Sequence, residues 1–499
     1  MDGRKIVSNL FYYFLDYMTI TLAGYIFWIV MGKMLIPQQY GILTTVIALW
    51  YIVGNVASLG MFEVLPRLVS EEMKKKRTAV ASGIINFSIK ASLALSIMFA
   101  AVLFFLASQL SRIFYGSEVM TLPIQFLSLI VLTGTPAIII KGSLQGLQRF
   151  KAMFFSDLFG SVIRIAAAII LVLIGMQALG GVAAWSIFFA IVAMACFIQL
   201  PRGMPLATFD IRKLLKYSSS STIFLLSTYF LLQGGVLVLG VLGNMADVGL
   251  LGVAVIVGQI LLFLSYVITY AILPSLSEMW IREKGRFMRL LSISIKIVLF
   301  VTLPFMIIFI VAANWLIRFL YTEAYLAAGS LFPAFMLGTF FFGISNVLLI
   351  ALYAAGHPRR RTLVVFGSML FNILLCFKLI PHYGVLGVAY AYLMAQTFLL
   401  IASLILLRNI VTLEFSRRSV FIIPILLIFG TIIYFATLPV LFVLKAIIGF
   451  LAFVVYSVLV FRLRILSSDD VAIFDYIPNK FIAATMKKMI KSIVPPKRK

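Results

Sequence analysis

The chain has 499 residues, of which 63% are hydrophobic and only 11% charged, with a mean hydropathy of +1.14. A soluble protein of this length has no interior large enough to hide that much apolar surface. The apolar stretches are continuous over about 20 residues, which excludes a β-barrel with its alternating strands and points to an all-α polytopic membrane protein.

Fourteen transmembrane helices are predicted, at roughly 9–31, 42–62, 80–108, 121–140, 153–174, 181–200, 218–241, 248–272, 290–312, 328–352, 362–380, 385–406, 419–437 and 440–461. Met1 to Asn9 is short and polar and runs straight into the first span, so no cleavable signal is expected. One set of loops carries most of the Lys and Arg: Arg4 and Lys5; Arg67 with Lys74 to Arg77; Lys141, Arg149 and Lys151; Arg202, Arg212, Lys213 and Lys216. The same set continues through Arg282 to Arg289, Arg359 to Arg361, Arg408 to Arg418 and the C-terminal tail. The opposite set holds only Lys33, Arg112, Arg318 and Lys378. The positive-inside rule therefore puts both termini in the cytoplasm. The formal charge of +25 reads as a topology signal and a contact with anionic membrane lipids. Nucleic acid is not an expected partner, because no basic folded domain is present. Cys196 and Cys376 lie in apolar segments and read as packing residues, and His357 and His382 are too far apart in sequence to suggest a metal.

The chain repeats its layout at an offset of about 208 residues. Gly41 matches Gly249, Pro66 matches Pro274, and Arg112 to Tyr115 matches Arg318 to Tyr321. Gly146 before Arg149 matches Gly356 before Arg359, and Gly181-Val182-Ala183 matches Gly387-Val388-Ala389. Duplicated membrane bundles are the architecture of alternating-access carriers. The expected organisation is a lobe of six helices in 1–200, a linker in 201–217 and a second six-helix lobe in 218–406, enclosing a central cavity. Two extra helices follow in 407–461 and a basic tail in 462–499. In that tail Ile482, Met486, Met489, Ile490 and Ile493 share one helical face, as in an interfacial helix; a frayed polar tail is the alternative.

The motifs that carry the repeat also carry a family likeness. Gly32 to Gly41, Gly60 to Arg67, Gly142 to Phe150, and Asn372 with Leu379-Ile380-Pro381 and Gly384 to Ala389 resemble polysaccharide exporters. These belong to the multidrug/oligosaccharidyl-lipid/polysaccharide flippase superfamily. The resemblance spans residues 5 to 406 and implies two six-helix lobes around a cavity. Its implied substrates are lipid-linked oligosaccharides moved from the inner to the outer leaflet. The fourteen-helix form resembles the branch of peptidoglycan-precursor flippases and Gram-positive or archaeal polysaccharide exporters. There is one departure. Many relatives carry an acidic residue in the seventh helix, five residues before a glycine, whereas here Gly235 precedes Gly240. That puts cation coupling by this helix in doubt.

Charges inside spans are costly and usually face a cavity or a partner. Arg164, mid-way along the fifth span, is the leading candidate for a substrate contact; the alternative is a buried ion pair that fastens helices. Its counterpart in the second repeat is Asn372, so the charge is present in one half only. Asp157, two turns before Arg164, lies on nearly the same face and reads equally as cavity lining or as interface. Asp16, among Tyr12, Tyr13 and Tyr17, reads as a sugar-hydroxyl acceptor or proton site, or as half of an interior ion pair. Lys90 and Lys296 occupy matching places in the third and ninth spans, where they either snorkel to the interface or ring an inner mouth for a pyrophosphate. Arg67 flanks the same mouth, where it is a topology signal or a ligand.

The leading functional expectation is an alternating-access flippase for a polyprenyl-phosphate- or pyrophosphate-linked glycan, with no cofactor, no metal and a monomer as the simplest state. A cation-coupled multidrug exporter of the same fold is the alternative. A membrane enzyme is disfavoured, since the loops opposite the basic face hold only Glu118, Asp247 and Glu323 as acidic residues.

Overall fold

The computed structural model describes residues 3–201, 207–408 and 455–456. These are helical apart from short connections. The first half comprises α1 (Gly3–Met34), α2 (Pro37–Ala57), α3 (Met61–Lys74), α4 (Thr78–Phe105), α5 (Ala107–Tyr115), α6 (Thr121–Gly146), α7 (Phe150–Leu171) and α8 (Gln177–Ile198). The second comprises α9 (Ile211–Leu242), α10 (Met245–Arg282), α11 (Lys284–Val311), α12 (Ala313–Leu320), a 3-10 segment Glu323–Leu331, α13 (Phe332–Ala354), α14 (Pro358–Tyr383) and α15 (Val385–Arg408). Among the described residues, eleven segments are long and apolar enough to cross a bilayer, and one of them, Phe150–Ile198, contains two consecutive helices. The protein is thus a multi-pass membrane protein. The thirteenth and fourteenth expected spans and the basic tail lie outside the described residues, apart from Val455 and Tyr456.

Helix boundaries follow local chemistry. Pro37 opens α2 at a position where its missing N–H costs nothing. Gly60, with φ of 61°, turns the chain from α2 into α3. Asp210 caps α9 by accepting from the Lys213 backbone N–H at 3.0 Å. The helix thus begins seven residues before the expected start of the seventh span, within the stretch expected as a linker. Two short helices, α5 and α12, also replace expected loops. Each ends near an arginine facing a glutamate: Arg112 pairs with Glu118, and Arg318 lies 4.0 Å from Glu323.

The described residues fall into two compact units. The first holds Met1–Gly252 and Asn372–Val388, and the second Val253–Phe371 and Ala389–Lys499. In the first, α6 packs against α2, α3, α4 and α8, while α7 packs along α1 and α8. The contact face of α4 is a stripe of fully buried serines, Ser88, Ser92 and Ser96, one helical turn apart. Small residues of this kind let helix backbones approach in lipid, where no hydrophobic force separates helix from solvent. Trp50 fills the gap left by Gly54 and Gly134 and meets Phe189 with ring centroids 5.0 Å apart. In the second unit, Tyr392 stacks on Phe335 at 4.4 Å over Gly338, and Tyr456 lies flat on Phe300 with its hydroxyl 3.2 Å from the Phe300 carbonyl.

The repeat leaves a direct mark within the first unit. A Cβ on Gly41 would strike the carbonyl of Met245, and one on Gly249 would strike the carbonyl of Pro37. Gly41 and Gly249 are repeat equivalents, and Pro37 and Met245 are separated by the same 208 positions. The first turns of α2 and α10 therefore cross reciprocally, backbone against backbone. The halves differ one helix further on. The chain breaks between α2 and α3 at Gly60, whereas α10 runs unbroken for 38 residues.

Gly41→Ala and Gly249→Ala should each force the crossing apart at an overpacking cost of about 1–3 kcal/mol. Each should lower the unfolding temperature in detergent. Gly24→Ala, where nothing lies within 4 Å, should not. Equal melting temperatures for all three variants would contradict the tight crossing.

Candidate functional site

Among the described residues of the first unit, the buried charges Asp16, Asp157 and Arg164 lie on α1 and α7, with the mostly buried Lys141 on α6. The contact of α1 with α7 is zipped at one end by Tyr12 against Phe154, with centroids 6.0 Å apart, and Tyr13 against Phe150 at 5.5 Å. This packing brings Asp16 and Asp157 to either side of Lys141. The ammonium of Lys141 lies 3.1 Å from Asp16 Oδ2 and closer still to Asp157 Oδ2. Both carboxylates are almost fully buried, and Oδ1 of Asp16 has no hydrogen-bond partner. Buried ions are tolerated only when paired this closely, since stripping water from each costs several kcal/mol. Two carboxylates around one ammonium leave a formal excess of one negative charge.

Arg164 lies two turns beyond Asp157 on α7 and is 1% exposed. Gly160 keeps α7 close to Phe188 and Val192 of α8. The guanidinium carbon sits 4.6 Å from the ring centre of Trp185, 4.7 Å from that of Phe188 and 5.2 Å from that of Phe27. Such contacts are worth about 2 kcal/mol or more when desolvated. They face the π clouds, however, and leave Nε and Nη2 without hydrogen-bond partners. Tyr51 and Asp157 act on it electrostatically, but no carboxylate lies within ion-pair distance among the described residues. The cation is cushioned, but two of its three nitrogens are unsatisfied.

Of the six residues singled out in the sequence, the structure gathers Asp16, Asp157 and Arg164 along one stretch of α1 and α7. Two of the others, in the same unit, are exposed on different helices. Lys90 is exposed on α4, and Arg67 is exposed on α3 and bonded to Glu71 at 2.8 Å. Lys296 lies on α11 in the other unit. The residue that sequence reasoning misplaced is Lys141, assigned to a basic loop. It lies inside α6, which continues to Gly146 and closes at Gln148, with φ of 58°. The signal was present: Gly142-Ser143-Leu144 carries no turn chemistry strong enough to stop a helix. Asn372 is buried and accepts from the Cys376 thiol at 3.3 Å, so the second half has an amide where the first has a guanidinium. A Cβ on Gly235 would run into Val388, which leaves no room for an acidic side chain there without displacing it.

A family profile described as "Polysaccharide biosynthesis protein" matches residues 30–329, more than half of the chain. The protein belongs to this family. Among solved structures, the chain is similar to the lipid II flippase MurJ in its inward closed conformation, at 17% identity and a TM-score of 0.69 over 90% of this chain and 98% of that one. It is also similar to an inward-facing MATE family multidrug resistance transporter of the MOP superfamily, at 14% identity and a TM-score of 0.64 over 78% and 92%. The MATE multidrug transporter DinF-BH gives 16% and 0.61 over 81% and 95%. At these identities the likeness establishes a shared fold. A search of curated proteins gives no match.

Lys141→Ala should destabilise the fold by about 3–5 kcal/mol, because it leaves two buried carboxylates without a counter-ion. Lys141→Ala combined with Asp157→Asn should recover much of the loss. Thermal unfolding of the single and double variants in detergent measures this coupling, and simple additivity would show that the bridge has no energetic weight.

Proposed function

We propose that this protein is an alternating-access flippase that carries a polyprenyl-phosphate- or pyrophosphate-linked oligosaccharide from the cytoplasmic to the outer leaflet. It acts as a carrier without catalysing a covalent step. Residues 1–200 and 218–406 act as two lobes, with 407–461 as an accessory pair of helices. The basic loops and both termini face the cytoplasm of a cell membrane and touch its anionic lipids, and one chain suffices for transport. Family membership and the shared fold support a carrier.

The observation that carries the choice of substrate is the state of Arg164. Phosphate oxygens are the ligand class that suits a deeply placed guanidinium with free N–H donors, because arginine binds them with directional, charge-assisted bonds. The aromatic cage lowers the cost of keeping the charge buried between transport events. Lys141 is a second cation within the same bundle, held by Asp16 and Asp157 until a stronger anion competes for it.

In a deletion strain the lipid-linked intermediate should accumulate on the cytoplasmic leaflet, and the native gene should clear it. Arg164→Ala should fail to clear it while protein levels persist. Arg164→Lys should restore part of the activity, since the charge survives and the fork geometry does not. Normal clearance by Arg164→Ala would reject the phosphate site.

A cation-coupled multidrug exporter is the second reading, favoured by the two buried carboxylates. It predicts that Asp16→Asn abolishes drug resistance in cells whose glycan intermediates are unaffected. Orientation is checked separately, on a variant lacking Cys196 and Cys376. Single cysteines at Gln39, Ser117 and Tyr383 should react with an impermeant thiol reagent outside intact cells, and one at Arg360 should not. Outside labelling at Arg360 inverts the assignment.

A further inference from the structure

The first unit contains a cavity of about 310 Å³, at the lower end of the size range of ligand pockets. It lies in the seam between helices of the two sequence repeats. Leu49 and Val53 of α2, Phe114 of α5 and Leu127 of α6 line one side; Val238 of α9 and Phe377 of α14 line the other. Its wall is almost wholly apolar, with the Tyr115 hydroxyl as the one side-chain polar group. Water needs two or more polar partners to stay in such a space, so the lining suits hydrocarbon rather than water. The floor is buried, with Leu127 at 0% and Val238 at 8% exposure, while Phe114 and Phe377, about half exposed, form a mouth towards the bilayer.

The depth is set by the helices. Val238 is one turn from the end of α9, Leu127 is in the second turn of α6, and α5 lies beside the short loop containing Gly116. The cavity therefore opens in the membrane half remote from the basic loops. Its inner wall is α2. The same helix carries Tyr51, which stacks on Tyr229 of α9 at 5.4 Å and acts electrostatically on Arg164. The same helix therefore lines the apolar slot with Leu49 and Val53 and, through Tyr51, lies within electrostatic reach of a buried cation whose Nε and Nη2 have no partner. A molecule with a phosphate on a long hydrocarbon chain is the ligand class with both parts.

We propose that this cavity is a binding site for the isoprenoid chain of the transported lipid-linked glycan. The inference rests on the flippase reading and adds to it a tail subsite in the seam between the repeats. Chain binding there would let the protein select a polyprenyl carrier over a bilayer phospholipid while the glycan passes through the interior.

The test uses the full-length protein in vesicles of phosphatidylethanolamine and phosphatidylglycerol, with a polyprenyl phosphate carrying a diazirine in its chain. After illumination, adducts are mapped by mass spectrometry. They should concentrate on α5 and α14 peptides around Phe114 and Phe377, relative to the bilayer-exposed control around Leu173 and Ile174. Val238→Phe, which fills the slot, should reduce the cavity adducts about tenfold, equivalent to about 1.4 kcal/mol of affinity, and leave the control adducts unchanged. Val53→Phe serves the same purpose if Val238→Phe does not fold, as judged by its melting temperature. Unlabelled polyprenyl phosphate should compete, and dioleoyl phosphatidic acid, with the same head group on acyl chains, should not. Equal competition by the two makes the cavity a general lipid site and overturns the proposal, as does labelling no denser than at the control. Failure of the flippase reading is visible independently, as absence of transport by the unmodified protein whatever the labelling pattern.

Discussion

Charge burial governs the organisation of the first half. A bilayer offers no solvent for an unpaired ion, so each charge within a span must find a partner supplied by another helix. Lys141 meets this demand for Asp16 and Asp157 at once, and in doing so ties α6 to both α1 and α7. The arrangement fixes the rotation of three helices about their axes, because turning any one of them would leave a carboxylate facing lipid. The position of Arg164 follows from it. With α7 held by Asp157, the residue two turns on is directed towards Trp185, Phe188 and Phe27, and both carboxylates within reach of its helix face are already taken by Lys141.

The two halves share a plan but not a chemistry. Asn372 stands where the first half has Arg164, and its amide is engaged by Cys376. Gly235 is packed against Val388, so α9 offers no carboxylate at the place where relatives are expected to carry one. The first half divides one long helix into α2 and α3 at Gly60, and the second keeps it whole as α10. The first half thus holds the buried charge cluster and the sharper backbone break. Such an asymmetry is suited to the proposed ligand, which has one charged end and whose two ends require different surroundings.

Much of the fold was legible because long apolar runs leave few alternatives in a membrane protein, and the repeat could be seen in glycines and prolines whose roles are set by the backbone. The short helices α5 and α12 were not, since one or two turns mixing Arg, Ser and Asn with apolar residues resemble a loop until their packing is known. The start of α9 was placed too late because Arg212, Lys213 and Lys216 were read as topology signals; Asp210 as a helix cap was the better clue. Lys141 was lost for the same reason: a basic residue near the end of a span is read as marking the interface. Asp16, Asp157 and Arg164 could be picked out by their cost in lipid. Their partners could not, because Lys141 meets Asp16 and Asp157 from α6, Trp185 and Phe27 meet Arg164 from α8 and α1, and only tertiary packing decides who meets whom.

The reciprocal crossing of α2 and α10 has a mechanical consequence. With glycine on each side, the hydrogen that replaces a side chain points at a main-chain carbonyl across the gap, so the junction is made of two Cα–H···O contacts and dispersion. Such contacts contribute about 0.5–1 kcal/mol each. No ion has to be desolvated to form this junction, and none has to be rehydrated when it parts. A clasp of this sort is stiff against sideways slip, since the carbonyls seat in notches one residue wide, yet weak against separation along the line joining the helices. It behaves like a press-stud: accurately registered, cheap to open, and returning to the same register each time it closes.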